Sequence, residues 1–217
     1  IALGAGTDSL SANINTDVTP TLISGVETIT ISSVGSAAAT LDMDNVSGAT
    51  TLVNNGSTQN LTFDDIQAVA TTSVSNTATA TTFTFKTAVL SGTTDTVNLN
   101  LDAATGTITI GSEADPDGDI ETMTINATGG ASTFATGEIV FGTDATSITV
   151  TGTAALTMNV DEEFANVNTF DASAATGAVS VQFADRPTVG EDVIAFTGGA
   201  GADDFDVTSI VAADVST

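Results

Sequence analysis

The sequence predicts an all-β fold built from tandem repeats, a parallel β-solenoid of the β-helix or β-roll kind. Three observations support it. Apolar and polar residues alternate with a period of two in many short runs, several of these runs recur in the same order further along the chain, and almost no segment carries helical spacing. Tandem β-sandwich domains also fit a repeat of about a hundred residues and stand as the alternative.

The alternating runs are Val26-Glu27-Thr28-Ile29-Thr30-Ile31, Leu61-Thr62-Phe63, Thr82-Phe83-Thr84-Phe85, Val97-Asn98-Leu99-Asn100-Leu101, Ile108-Thr109-Ile110, Ile148-Thr149-Val150 and Val179-Ser180-Val181. Val, Ile, Thr and Phe suit a pleated surface that is covered on one side, and the Gly, Asn and Asp residues between runs mark turns. Period-two strands direct Phe83, Phe85, Phe134, Phe141, Phe164, Phe170 and Phe183 inward. Helical turns are expected only at Asp64 to Val69 and Asp161 to Asn166, each opening on an acidic residue suited to an N-cap.

The recurrences divide the chain. Gly25 to Ile31 returns as Asp119 to Ile125, 94 positions on; Ala49 to Val53 is answered by Ala145 to Val150 at 96, and Asn60 to Phe63 by Ala155 to Met158 at 95. Upstream, Gly4 to Leu10 matches Ser91 to Val97 more weakly at 87, and Gly199 to Phe205 opens a further copy. The expected units are therefore 1–90, 91–198 and the start of a third at 199–217, in a chain that reads as a piece of a longer protein. Repeated β units of this kind bury their apolar edges on one another.

Composition narrows the function. The chain carries 27 acidic residues against two basic ones, Lys86 and Arg186, a net charge of −25. Such a chain repels polyphosphate and anionic membrane, which excludes nucleic-acid binding, and its natural partners are cations. With 41% apolar residues and positive mean hydropathy it still has enough surface to bury for folding. No run approaches membrane-spanning length, and no basic start followed by a long apolar stretch opens the chain, so neither membrane insertion nor an N-terminal signal is expected. His, Cys, Tyr and Trp are absent. Catalysis would have to rest on carboxylates alone, and the expectation is that the chain is not an enzyme.

Gly198-Gly199-Ala200-Gly201-Ala202-Asp203-Asp204-Phe205-Asp206 fits the nonapeptide G-G-x-G-x-D-x-U-x at every specified position. Its glycines permit a tight turn and expose carbonyls, Asp203 supplies a hard oxygen, and Phe205 points into the core. Leu3 to Leu10 repeats the pattern with Gly4, Gly6, Asp8 and Leu10 in place. Asp192 is the nearest partner to Asp203, 11 residues before it where the pattern calls for nine, and Asp95 has lost both glycines. A second acidic focus, Glu113-Ala114-Asp115-Pro116-Asp117-Gly118-Asp119-Ile120-Glu121, alternates carboxylates along a turn. Asp115, Asp117, Asp119 and Glu121 can converge on one cation there, though Ile120 and Asn126 stand where an EF-hand needs Gly and Glu.

These motifs resemble the RTX family of secreted calcium-binding proteins, and in particular RTX-type bacterial surface-layer proteins. The Gly25 to Ile31 and Asn166 to Ser173 segments are similar to such chains as well. The resemblance implies Ca2+ held between successive turns of a β-roll, with Gly199, Gly201, Asp203 and Asp192 at one site and Gly4, Gly6 and Asp8 at another. It also implies type I secretion from a Gram-negative bacterium. The functional expectation is an extracellular structural protein at the cell surface that folds and self-assembles with calcium into a surface layer or filament. The alternative is an RTX-type adhesin or biofilm-matrix module that binds a cell surface, a glycan or surface polysaccharide.

Overall fold

Short alternating strands cannot cover their apolar side alone, and this chain covers it by coiling so that each strand lies beside its counterpart in the next coil. The computed structural model describes residues 1–114, 119–134, 139–142, 144–160, 166–183, 194–206 and 215–216, with backbone alone at 160, 183, 215 and 216. The first strands are β1 (Ser9–Ile14), β2 (Ile23–Ser24), β3 (Thr28–Ser33), β4 (Ala39–Asp42), β5 (Val46–Ser47), β6 (Thr51–Asn55) and β7 (Leu61–Ile66). There follow β8 (Thr71–Ser75), β9 (Thr81–Phe85), β10 (Thr96–Asp102), β11 (Ile108–Ser112), β12 (Thr122–Ala127), β13 (Ser132–Phe134) and β14 (Ile139–Val140). The last are β15 (Ser147–Gly152), β16 (Leu156–Val160), β17 (Thr169–Ala175), β18 (Val179–Phe183), β19 (Ile194–Thr197), β20 (Asp204–Asp206) and β21 (Val215–Ser216).

Among the described residues every strand pairing is parallel. The longest sheet has ten strands in the order β1-β3-β6-β8-β10-β12-β15-β17-β19-β21, one from each coil. A second face is β4-β7-β9-β11-β14 in the N-terminal part and β13-β16-β18-β20 in the C-terminal part, and β2 pairs with β5 on a third side. The two second-face ladders change over within one coil, which contains both β13 and β14. The fold is thus an all-β parallel solenoid, as the alternation and the recurrences predict.

Alternation places the side chains. In β3 the outward Thr28, Thr30 and Ser32 are half-buried, whereas Ile29, Ile31 and Ser33 are buried. Because pairing is in register, inward residues form columns: Ile29, Leu52, Thr72, Leu99 and Ile125 follow one another along the long sheet. That column reaches Ile125 in four steps from Ile29, 96 positions on (125 minus 29), so each long recurrence in the sequence spans four coils. On the second face Leu41, Phe63, Phe83 and Ile110 form another column, with the rings of Phe63 and Phe83 stacked at 5.2 Å and 3°. Each fully buried side chain of this size contributes about 1.5–3 kcal/mol relative to exposure. Phe83, Phe85, Phe134, Phe141 and Phe170 are buried as expected, and Phe63 with them. Phe164 lies outside the described residues, as does the side chain of Phe183.

The turn expected to be helical at Asp64 to Val69 is instead the end of β7. Phe63 faces Phe83 and Ile66 faces Phe85, so Asp64 and Asp65 together oppose the single Thr84. This is a β-bulge, and Asp65 takes φ 58° within it. The acidic start that suits an N-cap is here used to turn a carboxylate sideways. The segment from Asp161 lies outside the described residues up to 165.

Candidate metal centre

The β7 bulge brings together carboxylates from two coils. Asp42 ends β4, Asp44 follows it in the turn, and Asp65 comes from the bulge; one carboxylate oxygen of each lies within 4.8 Å of the others. Asp42 and Asp65 are half-buried and Asp44 is exposed. The local chain fixes this arrangement: the Asp44 N–H donates to Asp42 Oδ1 at 2.9 Å, and Gln67 Nε2 donates to the Asp65 carbonyl at 2.6 Å and to Asp44 Oδ1 at 3.2 Å. An all-oxygen set of three carboxylates, open on one side to water, can hold a hard metal ion.

Lys86, which follows β9, already brings a positive charge here. Its Nζ contacts Asp65 Oδ1 and lies 3.2 Å from Asp44 Oδ1 and 3.0 Å from Glu113 Oε1, so one ammonium ties carboxylates from three different coils. The Lys86 ammonium is held well above the ordinary lysine range, first by its hydrogen bond with Asp65, then by that with Glu113. Glu113 is held below the ordinary carboxylate range by its contacts with Asp65 and then Lys86. The side chains of Lys86 and Asp65 are 31% and 20% exposed, so solvent and salt screen the attraction. With Asp42, Asp44, Asp65 and Glu113 against a single lysine, the group keeps an excess of negative charge.

The sequence-predicted ligands are distributed differently. Asp203 accepts the Gly199 N–H on Oδ2 at 2.7 Å and the Val179 N–H, from the neighbouring coil, on Oδ1 at 2.9 Å. Gly199 and Gly201 pack on the coil beneath: a Cβ on Gly199 would lie 2.6 Å from the Ala172 carbonyl oxygen and overlap that of Ala175, and one on Gly201 would overlap the Gly177 carbonyl. Close approach of backbones thus accounts for both glycines. Phe205 is half-buried against the core, at 5.7 Å from the Phe170 ring and 5.3 Å from that of Phe196.

Gly4 and Gly6 are exposed in the segment before β1, and Asp8 is half-buried at its end. The Asp8 N–H donates to Glu27 Oε2 at 2.7 Å, and the Asp95 N–H donates to Glu121 Oε2 at 2.6 Å. The next level repeats as well, with Thr50 and Thr146 donating their N–H groups to the Glu27 and Glu121 carbonyls at 2.9 Å. The recurrence seen in the sequence is therefore a recurring corner, in which glutamate serves as an acceptor for the amide of the preceding coil. Asp119 takes φ 71° and accepts the Ser112 hydroxyl at 2.6 Å on Oδ2. Asp115, Asp117 and Asp192 lie outside the described residues.

Sequence reading passed over Asp42, Asp44, Asp65 and Lys86. The signal available was an Asp-x-Asp and an Asp-Asp one coil apart, and only the coil length shows that they meet. No protein-family profile, curated protein or solved structure matches the chain.

Proposed function

We propose that this chain is a structural module of an extracellular, calcium-responsive β array, secreted to a bacterial cell surface and assembling with copies of itself. The observation that carries the reading is the Asp42, Asp44 and Asp65 cluster, which gathers oxygen ligands from two coils of a continuous parallel ladder. Calcium takes six to eight oxygens at about 2.3–2.6 Å and accepts water in a flexible shell, which suits three carboxylates open to solvent. Binding across coils would add to folding free energy, because the separated ligands of an unfolded chain hold the ion poorly. An affinity of about 10⁻⁴–10⁻³ M, typical of extracellular modules, would leave the site empty inside the cell and filled outside it.

The net charge of −25 supports the same reading, since it opposes assembly until cations screen it. The test is light scattering and electron microscopy of the chain in millimolar calcium and in chelator. Filaments or a periodic sheet in calcium, dispersing in chelator, are the expected result. A chain that remains monomeric in calcium and instead binds a surface glycan would replace this reading with the adhesin one.

A further inference from the structure

A period-two pattern settles which side of a strand faces inward, but not where along its neighbour the strand lies. Sliding one coil past the next by a single residue would turn its apolar row outward, whereas a slide of two residues keeps every side chain on its own face. Coil length does not remove this ambiguity, because the advance is 19 residues from Ser9 to Thr28, 23 from Thr28 to Thr51 and 20 from Thr51 to Thr71.

At the corner where the chain leaves the long sheet, equivalent places in five coils are held by Ser33, Ser57, Thr77, Ala104 and Ser132, none more than 6% exposed. Backbone bonds mark three of the four steps: the Ser33, Thr77 and Ala104 carbonyls accept the N–H groups of Thr58, Thr105 and Thr133 at 2.9, 3.0 and 3.1 Å. The side chains repeat a second bond. The Ser33 N–H donates to Ser57 Oγ at 2.8 Å, the Ser57 N–H to Thr77 Oγ1 at 3.1 Å, and the Ala104 N–H to Ser132 Oγ at 3.1 Å. Each of these hydroxyls caps the amide of the coil before it. Between Thr77 and Ala104 the column is broken, since alanine has no oxygen to offer. Ser57 is also held in direction, because it donates its hydroxyl to Asn54 Oδ1 while Asn54 Nδ2 donates to Thr81 Oγ1 at 2.6 Å.

We infer that this column of buried hydroxyls is the device that sets the register of the coils. A slide of two residues would carry each hydroxyl away from the amide it caps and leave buried N–H groups without an acceptor, which is what a folded chain avoids most strongly. The hydrophobic pattern thus excludes odd slides and the column excludes even ones. The inference stands apart from the assembly reading, since it concerns the folding of a single chain.

The chain has no cysteine, so introduced pairs report register directly. Thr30 and Val53 are outward partners in register, and Thr51 and Asn55 flank Val53 by two residues. Strands about 4.8 Å apart put Thr30→Cys within disulfide reach of Val53→Cys, while about 6.6 Å more along the strand puts it beyond the limit of about 7 Å from Thr51→Cys or Asn55→Cys. The expected result is that only the in-register pair closes, and that adding Ser57→Ala with Thr77→Val lets the diagonal pairs close at least tenfold faster. Diagonal pairs that stay open in this background, with β circular dichroism retained, overturn the inference.

Ser33→Ala is the control, because the buried Ser33 Oγ has no hydrogen-bond partner. Its diagonal pairs should stay open; their closing would make loosened packing, not a lost acceptor, the cause and would also overturn the inference. Where the double variant does not fold, Ala104→Ser decides by supplying the missing step. Hydrogen exchange of the Thr77 amide should slow at least tenfold relative to that of Thr105, whose acceptor is unchanged, and exchange that is unaltered or faster contradicts the column.

Discussion

Asp65 and Asp203 sit toward opposite ends of the stack, each with its carboxylate drawn toward a neighbouring coil, but their partners differ in kind. Asp65 faces the Lys86 ammonium on a long, 31% exposed side chain that also reaches Asp44 and Glu113. Asp203 faces two backbone amides, those of Gly199 and Val179, in positions fixed by the coils themselves. The difference separates two uses of acid in one fold. Near Asp65 the positive partner is part-exposed and screened, so another cation can compete for the place. At Asp203 both carboxylate oxygens are engaged in holding the corner together.

The largest effect that tests this contrast is at the C-terminal corner. Gly199→Ala sets a methyl against the Ala172 and Ala175 carbonyls, which cannot yield without separating two coils. Denaturant unfolding should show a loss of about 3 kcal/mol, the upper part of the range for overpacking. Gly92→Ala is the comparison: the atoms nearest its Cβ are those of the Asp95 carboxylate, the end of a side chain that can move aside at the cost of its bond to the Gly92 N–H, and a smaller change is expected. Similar losses at both glycines would mean that backbone contact is not what Gly199 provides.

Next in size, Asp203→Ala strands the Gly199 and Val179 N–H groups and should cost about 1–3 kcal/mol, with little dependence on salt. Lys86→Gln removes the ammonium that Asp44, Asp65 and Glu113 share. Its cost at neutral pH should be smaller and should fade as salt rises, while divalent cations should stabilise the variant more than the wild type because four carboxylates are left without their counter-charge. A calcium response that Lys86→Gln leaves unchanged, or that vanishes in Asp203→Ala alone, would reverse the assignment of roles.

The smallest effect is the pH dependence. Glu113 and Asp171 both have folded-state pKa values below their ordinary ones, Glu113 through Asp65 and Lys86, Asp171 through its hydrogen bonds with Ser173. Lowered carboxylates contribute stability that is present above their unfolded values and lost as pH falls through the folded values. Lys86, raised, contributes below the ordinary lysine pKa and loses this only as pH climbs through its folded value in strong base. Stability measured from neutral pH downward should therefore fall in the acid range, and Lys86→Gln should shallow that fall without removing it, since the Asp171 contribution remains.

Much of the solenoid was legible in the sequence because burial acts on every second residue: the runs at Thr28 to Ile31 and Val97 to Leu101 are strands in the structure. Coil length was not. Successive coils advance 19 residues from Ser9 to Thr28, 23 from Thr28 to Thr51 and 20 from Thr51 to Thr71, so no fixed period marks them. What repeats visibly is the corner chemistry of Asp8 with Glu27 and of Asp95 with Glu121, and it returns only after four coils. The acidic cluster escaped for the same reason. Asp42 pairs in register with Asp64, and the bulge then turns Asp65 beside Asp44, a meeting that depends on the coil length and on one extra residue in β7. The glycines around Asp203 were conspicuous, but a turn that exposes carbonyls and a turn that admits a neighbouring backbone use the same residue, and only the packing of Gly199 on Ala172 and Ala175 tells them apart.

The most direct measurement is the thermal unfolding of the chain titrated with calcium, with magnesium and chelator as references. The account predicts a melting temperature that rises with calcium over about 10⁻⁴–10⁻³ M and a rise largely abolished in the Asp44→Asn, Asp65→Asn double variant. Melting curves that superimpose in calcium and in chelator, or a full response in that double variant, would contradict it.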